Sequence, residues 1–92
     1  GKMVKVKFLL FATLRETYNT KEIEVECDGT LKDAVVKASE KLGKEFYNEI
    51  FEDGSYRKDR IILINGRHIQ FVTTQELKDG DTIAVFPPIA GG

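Results

Sequence analysis

The last seven residues carry the strongest chemical signal in this 92-residue chain. They run from Phe86 to Gly92 and read Phe-Pro-Pro-Ile-Ala-Gly-Gly. Pro87 and Pro88 fix φ at about −65° and lack a backbone donor, so they should direct a preceding strand out of its sheet as an exposed arm. The two glycines have no Cβ, so this tip fits a passage too narrow for side chains. The alternative is a frayed C-terminus, where small flexible residues usually collect.

A C-terminal carboxylate is ionised at neutral pH, because its pKa is about 3.3–3.7. It can attack the α-phosphorus of ATP when an enzyme supplies Mg²⁺ and positions both groups. The acyl-adenylate formed in this way is a strong electrophile. Under this interpretation Gly92 is the reacting residue, and the folded body is what the activating enzyme recognises.

Other kinds of chemistry have little support in the sequence. One cysteine and one histidine cannot supply the several ligands that a metal site needs, so no metal site is expected. Cys27 alternates inward with Ile23 and Val25, which favours a small core residue over a reactive thiol. His68 has no evident catalytic partner, and we interpret it as a surface or interface residue. No glycine-rich phosphate loop follows a strand, and no bound cofactor is expected.

Length and composition predict one small cytoplasmic domain. The chain is long enough for a single core but not for a roomy buried active site as well. Fourteen basic against fifteen acidic residues give a net charge of −1, which disfavours nucleic-acid and membrane partners. The lone cysteine and the lack of a long apolar segment argue against export. We expect Gly1 and Lys2 to be an addition ahead of the natural start at Met3.

The first part of the chain predicts a β-hairpin. Residues 4–12 alternate with period two, as in a strand with one apolar face. The inward-facing side chains are Val4, Val6, Phe8, Leu10 and Ala12. The other face begins with lysines and ends with Leu9 and Phe11, which either pack under another element or form an exposed apolar patch for a partner. Turn residues 18–20 and a second alternating run at 21–28 complete the hairpin.

The middle of the chain predicts one amphipathic helix. Thr30 is a suitable N-cap, and Asp33 stands at the acidic N3 position. One apolar stripe over three turns is formed by Leu31, Ala34, Val35, Ala38 and Leu42. Gly43 is a natural residue to end the helix. A further short helical segment that fills the core is suggested by Phe46, Tyr47, Ile50 and Phe51.

The remaining segments predict the rest of the sheet. Residues 52–60 are rich in charged and turn residues, which indicates an exposed connection. The apolar run 61–64 is typical of a strand that is covered on both faces or lies deep in the sheet. Residues 68–72 suggest a short edge strand, and 82–86 a final strand that enters the prolines. This order predicts an α+β roll in which the helix covers one face of the sheet.

Four stretches spread over the chain carry a resemblance to a known family. Together they resemble the β-grasp, ubiquitin-like sulfur carriers of the MoaD/ThiS superfamily, and specifically the MoaD family, the small subunit of molybdopterin synthase. The stretches are Phe-Ala-Thr-Leu-Arg-Glu at 11–16, Ile-Asn-Gly-Arg at 64–67, Leu-Lys-Asp-Gly-Asp at 77–81 and the C-terminal seven residues. The thiamine-pathway carriers share the fold and the ending but are usually shorter and lack the Pro-Pro step, so this tail favours the molybdopterin branch.

The resemblance implies an α+β fold, a β-grasp mixed sheet of four to five strands packed on one main helix. It also implies a single domain at residues 3–92 with an exposed tail at 87–92. An E1-like (MoeB-like) enzyme would adenylate Gly92 with ATP and Mg²⁺, and a persulfide sulfur donor would convert it to a thiocarboxylate. The tail would then enter the large subunit of molybdopterin synthase (MoaE-like), where the sulfur builds the dithiolene of molybdopterin.

Under this interpretation the chain is a sulfur-donating subunit without an active site of its own. The reacting residues are Gly91 and Gly92. The partner interface implied by the resemblance comprises Phe11, Phe86, Pro87, Pro88, Ile89, His68 and Ile69. Arg15 and Glu16 match the family motif, but the resemblance assigns them no role here.

Three other functions stay open at this point. A ubiquitin-like modifier of the archaeal small modifier type would join Gly92 to target lysines, and archaeal relatives do both jobs. A thiamine-pathway sulfur carrier would share the reactive tail. An interaction module would use the folded body alone, with an incidental tail.

Overall fold

The computed structural model describes residues 2–69 and 76–88. The elements in chain order are β1 (Val4–Leu10), α1 (Thr13–Tyr18), β2 (Glu22–Cys27), α2 (Leu31–Leu42), α3 (Glu45–Ile50), β3 (Phe51–Glu52), β4 (Ser55–Tyr56), β5 (Ile61–Ile64), β6 (Arg67–His68) and β7 (Thr82–Phe86).

Five of the strands form one mixed sheet in the order β2-β1-β7-β5-β6. β1 pairs antiparallel with β2 and parallel with β7, while β5 pairs antiparallel with both β7 and β6. β3 and β4 form a separate two-stranded hairpin. The buried side chains of α2 join the inward side chains of the sheet in one core. This architecture confirms the predicted β-grasp sheet on one main helix.

The core is built around aromatic contacts between the sheet and the helices. Phe8 and Phe46 are fully buried, and their rings meet edge to face at 5.7 Å between centroids. Tyr18 meets the same Phe46 ring at 5.4 Å. Cys27 is fully buried, as predicted, and burial raises the pKa of its thiol. A buried thiol with a raised pKa is a poor nucleophile, so this residue acts in packing.

The predicted N-cap of α2 is confirmed, but the Asp33 carboxylate does not accept the Thr30 N–H, which donates to Asp28 Oδ1 instead. Thr30 Oγ1 accepts the Asp33 N–H at 3.1 Å, and the Asp33 carboxylate accepts the Asp28 N–H at 2.9 Å. The helix buries the predicted apolar stripe, except that Leu42 is only partly buried. It ends at Gly43, whose φ of 119° is disfavoured for other residues. The Lys41 ammonium donates to the Glu24 carbonyl at 2.7 Å and so ties α2 to the edge strand β2.

The prediction that the first strand extends to Ala12 was wrong, and the connection to β2 contains a helix that was not predicted. β1 ends at Leu10, and Ala12 has φ 53° and ψ −132°, a conformation that no strand residue adopts. The chain then forms α1, with Leu14 in the core and Tyr18 packed against it. Asn19, in the left-handed conformation, ends this helix. The antiparallel pairing of β1 with β2 is as predicted.

Two alternatives were predicted for residues 61–64, and coverage of both faces is not the one observed. Ile62 and Ile64 are buried, but Leu63 is only half-buried and Ile61 is 38% exposed. The alternative prediction holds, because β5 lies inside the sheet between β7 and β6. An apolar strand with one uncovered face therefore contributes two large side chains to the sheet surface. Of the predicted edge strand, the structure describes β6, and residues 70–72 lie outside the described residues.

The predicted exposed connection at 52–60 contains more order than expected. It forms the β3–β4 hairpin and ends at Arg60, whose side chain is only 10% exposed. The Arg60 guanidinium donates to Glu49 Oε1 at 3.0 Å and to Asp59 Oδ2 at 2.9 Å. Tyr18 donates its hydroxyl hydrogen to Glu49 Oε2 at 2.9 Å. This network ties α1 and α3 to the start of β5.

We predict that Tyr18 makes stability fall at alkaline pH. Burial and the Glu49 carboxylate raise the pKa of the Tyr18 phenol, so the native state holds this proton more tightly than the unfolded state. The contribution is complete below about pH 10 and is lost as the pH rises further. Tyr18→Phe should lessen this alkaline loss, while lowering the free energy of unfolding by about 1 kcal/mol at neutral pH.

Urea unfolding at neutral and alkaline pH measures both effects. Tyr47→Phe is the matched control, because Tyr47 stacks on Phe51 and is only partly buried. The control should keep the alkaline loss of the parent protein. If Tyr18→Phe and the parent lose stability in parallel above pH 10, the prediction is wrong.

Candidate functional site

The sheet face opposite α2, which we call the outer face, is apolar at one end and charged at the other. The strand registers place Leu9 beside Ala84 and Ala84 beside Leu63. One step closer to the tail, Ile61 pairs with Phe86. We call this end the apolar end, and it consists of Leu9, Phe11, Ile61, Leu63, Ala84 and Phe86.

The charged end of the outer face lies on β1 and β2. Lys5 and Lys7 pair in register with Glu26 and Glu24. The Lys7 ammonium lies 3.2 Å from a carboxylate oxygen of Glu22. Exposed pairs of this kind contribute little to stability but keep this half of the face in water. The outer face therefore offers one apolar surface, and it lies where β7 ends.

Phe11 and Phe86 form the centre of the apolar end. Their rings stack at 4.4 Å between centroids, with 6° between the planes, and both are only half-buried. Leu9 and Phe11 therefore belong to a surface patch, which was one of the two alternatives drawn from the sequence. Pro87 follows Phe86 directly, so the stack lies at the base of the C-terminal tail.

The corner after β1 holds Phe11 in this position. Its N–H donates to the Val85 carbonyl at 3.2 Å, and its carbonyl accepts from the Leu14 N–H at 3.1 Å. Between these bonds lies Ala12, whose positive φ turns the chain away from the sheet. A non-glycine residue at positive φ is strained, and such strain persists only where the surroundings determine it. Here the two hydrogen bonds of Phe11 do so, together with the bond from the Arg15 N–H to the Ala12 carbonyl at 3.1 Å.

Arg15 is a site residue to which sequence reasoning gave no role. Its guanidinium lies over the Phe11 ring, 5.0 Å from the centroid, and its Nε donates to the Leu10 carbonyl. The sequence signal for a role of Arg15 was its place in the family motif. The corner that brings it over Phe11 could not be predicted from the periodicity of the strand.

A groove of about 440 Å³ lies beside the base of the tail. Pro87, Pro88, Ile61 and His68 line it together with the 58–60 segment. His68 lies next to Leu63 in the β5–β6 register and is half-buried. The groove therefore adjoins the apolar end of the outer face at Ile61, and the charged 58–60 segment lines it as well.

The structure brings most of the predicted interface residues together. Phe11, Phe86, Pro87, Pro88 and His68 all lie at the tail end of the outer face. Ile69 does not lie there, because it is 6% exposed and belongs to the core. Its burial therefore does not support a contact with a partner. The predicted residues Ile89, Gly91 and Gly92 lie outside the described residues.

Within 2–69 and 76–88, no group of three or more His, Cys, Asp or Glu side chains is arranged to hold a metal ion. Over the same ranges, no helix has the length and apolar character needed to cross a membrane.

A five-stranded mixed sheet on one main helix, with the last strand running into a Pro-Pro step, defines a small ubiquitin-like β-grasp protein. The model of the ThiS family matches residues 8–92, and the chain belongs to this family. The resemblance to the MoaD/ThiS superfamily inferred from the sequence is thereby confirmed.

Several relatives match over nearly their whole length. Small archaeal modifier protein 3 of Haloferax volcanii is 35% identical over 94 residues, which covers 97% of this chain and 100% of the relative. The solution structure of small archaeal modifier protein 1 from Methanosarcina acetivorans has a TM-score of 0.81 at 35% identity, with both chains covered completely. A Pyrococcus furiosus structure with a provisional assignment as molybdopterin converting factor, subunit 1, has a TM-score of 0.68 at 35% identity, covering 94% of this chain and 99% of its own.

The Ala12 corner gives a prediction about stability. Ala12→Val should lower the free energy of unfolding by about 1–3 kcal/mol, because a β-branched residue is strongly disfavoured at positive φ. Ala12→Gly is the control and should stay within about 1 kcal/mol of the parent, since relief of strain offsets the entropy of the more flexible unfolded chain. Urea unfolding measures both. A valine variant as stable as the parent would show that the corner does not have this conformation.

Proposed function

We propose that this protein is a ubiquitin-like modifier whose Gly92 carboxylate is activated by an E1-like enzyme and joined to lysine side chains of target proteins. The observation that carries the proposal is the apolar end of the outer face, which adjoins the point where the Gly-Gly-terminated tail leaves β7. The two relatives named as small archaeal modifier proteins support this choice of function.

The chemistry requires little of the chain beyond its terminus. A carboxylate oxygen of Gly92 would bond to the α-phosphorus of ATP, and pyrophosphate would leave. A neutral lysine amine would then attack the acyl carbon, form the amide and release AMP. The activating enzyme would supply ATP and Mg²⁺, so this chain needs no cofactor of its own.

The folded body would serve as the surface that the activating enzyme recognises. Ile61 is 38% exposed, and the half-buried rings of Phe11 and Phe86 adjoin it. A group of uncovered large apolar side chains is typical of a partner-binding surface. Pro87 and Pro88 restrict the backbone beside this surface, so a bound enzyme would receive the tail in a limited range of directions.

A second candidate function is sulfur donation as the small subunit of molybdopterin synthase. It is supported by the similarity to the Pyrococcus furiosus structure and by the Pro-Pro step that the tail shares with the MoaD family. The first step would be the same adenylation. The outer sulfur of a persulfide on a donor protein would then displace AMP to give an acyl disulfide. A second thiol of the donor would attack the donor-side sulfur, form a disulfide with it and release the thiocarboxylate for a MoaE-like large subunit. A thiamine-pathway carrier would use the same thiocarboxylate.

Intact mass and peptide mass spectrometry distinguish these functions. The chain is incubated with an E1-like enzyme, ATP and Mg²⁺, with a sulfur donor in one arm and a cell extract in the other. A sulfur-for-oxygen mass change at the C-terminus would support sulfur donation. Lys78 is the last basic residue, so trypsin leaves residues 79–92 attached to any modified lysine. Such a remnant on target peptides would support the modifier function.

Deletion of Gly91 and Gly92 is the control in both arms. It should abolish the thiocarboxylate and the lysine remnant together. If the intact chain yields neither product while the same enzyme activates another carrier, the proposed function is wrong. If partner function survives the deletion unchanged, the chain is an interaction module with an incidental tail.

A charge placed in the apolar end should impair activation. We predict that Ile61→Lys lowers kcat/KM for adenylation at least about tenfold, because a central interface residue commonly contributes about 1.4 kcal/mol or more. Met3→Lys is the matched control, since Met3 is 49% exposed and does not belong to the apolar end. The control should stay within about twofold of the parent. Equal effects of the two substitutions on pyrophosphate release would contradict docking through this surface.

A further inference from the structure

We propose that Arg15 is a positioning residue that holds the Phe11 ring against Phe86 and thereby sets the direction in which the tail leaves β7. The inference rests on the proposed function in one respect, because the direction of the tail matters to an enzyme only if the tail is its substrate.

The contacts of Arg15 fix both the backbone and the ring of its target. Its Nε donates to the carbonyl of Leu10, the residue immediately before Phe11. Its guanidinium lies over the Phe11 ring, 5.0 Å from the centroid. A guanidinium can donate in its plane and stack with its face at the same time, whereas a lysine ammonium cannot. An exposed arginine is therefore directed inward, across the corner at Ala12, and not into solvent.

The Phe11 ring transmits this restraint to the last anchored residue of the sheet. It stacks on Phe86 at 4.4 Å, and the Phe11 N–H also bonds the carbonyl of Val85. Phe86 is the final residue of β7 and pairs with Ile61. Pro87 has no N–H and cannot extend the ladder. The orientation of Phe86 therefore fixes where the backbone of the tail begins.

The alternative is that Arg15 is only a structural residue of a short surface helix. Within residues 2–69 and 76–88 it makes no ion pair, so its charge is not required to neutralise a carboxylate there. A structural role would change the free energy of unfolding without changing the contact between the two rings. A direct partner contact would change enzyme affinity without changing the rings either. The ring contact therefore separates positioning from both alternatives.

The test compares Arg15→Met and Arg15→Lys with the parent and with Lys32→Met. Methionine keeps an unbranched helix-compatible side chain without charge, and lysine keeps the charge without the planar fork. Lys32 is an exposed residue of α2, on the other side of the sheet, and serves as the control. Two-dimensional NMR records the contacts between protons of the Phe11 and Phe86 rings and their ring-current shifts. Initial rates of adenylation give KM and kcat for each variant.

We expect Arg15→Met to weaken the contacts between the two rings. It should also raise KM about five- to tenfold and leave kcat within about twofold, because one cation–π contact and one hydrogen bond are lost. Arg15→Lys should recover part of both effects, and Lys32→Met should match the parent. Unchanged chemical shifts of core residues in α2 show that a variant is folded. If Arg15→Met unfolds, the result for Arg15→Lys alone decides between the outcomes.

Two results would overturn the proposal. Ring contacts like those of the parent in Arg15→Met, with unchanged KM, would make Arg15 an ordinary surface residue. Unchanged ring contacts with a raised KM would make it a direct partner contact. If the parent chain itself is not adenylated, the proposed function fails, but the ring contacts still test whether Arg15 positions Phe86.

Discussion

The parallel pairing of β1 with β7 brings the first and last strands together in the centre of the sheet. In a parallel pair the carboxyl ends of both strands lie at the same edge, so the chain leaves β1 and β7 at the same place. The register of Leu10 with Val85 then places Phe11 next to Phe86. The apolar end of the outer face, the Ala12 corner and the base of the tail all depend on this one pairing. A change in register would separate the two rings.

The two faces of the sheet meet different physical requirements. The inner face is covered by α2 and α3, and burial of side chains such as Phe8 and Phe46 provides most of the driving force for folding. The outer face gains less from folding than the inner face, because Ile61 is 38% exposed and Leu63 is only half-buried. Its apolar end is therefore better explained by binding than by stability. The paired charges at the other end restrict the apolar surface to the side where the tail begins.

Local signals in the sequence were sufficient for the elements that depend on local physics. The alternation before Cys27 predicted β2, and the Thr30 cap predicted the start of α2. The composition of the tail indicated the candidate site. α1 was missed because it depends on a positive φ at Ala12, which alanine does not favour. The burial of Arg60 was missed because a charged segment is normally solvated, and its partner Glu49 comes from another element. The two alternatives for Phe11 were separated only by the long-range pairing with β7.

Under the proposed function, the presentation of the tail depends on the surface beside its base, where Phe11 stacks on Phe86. Pro87 ends the hydrogen-bonded ladder and leaves Phe86 as the last residue that the sheet orients. Ala12 retains a strained conformation at the same place, held by hydrogen bonds from Phe11 and Arg15. Strain that neighbouring bonds maintain is characteristic of sites where geometry matters for function. The corner after β1 is therefore best understood as the support of the tail, although it lies at the opposite end of the sequence.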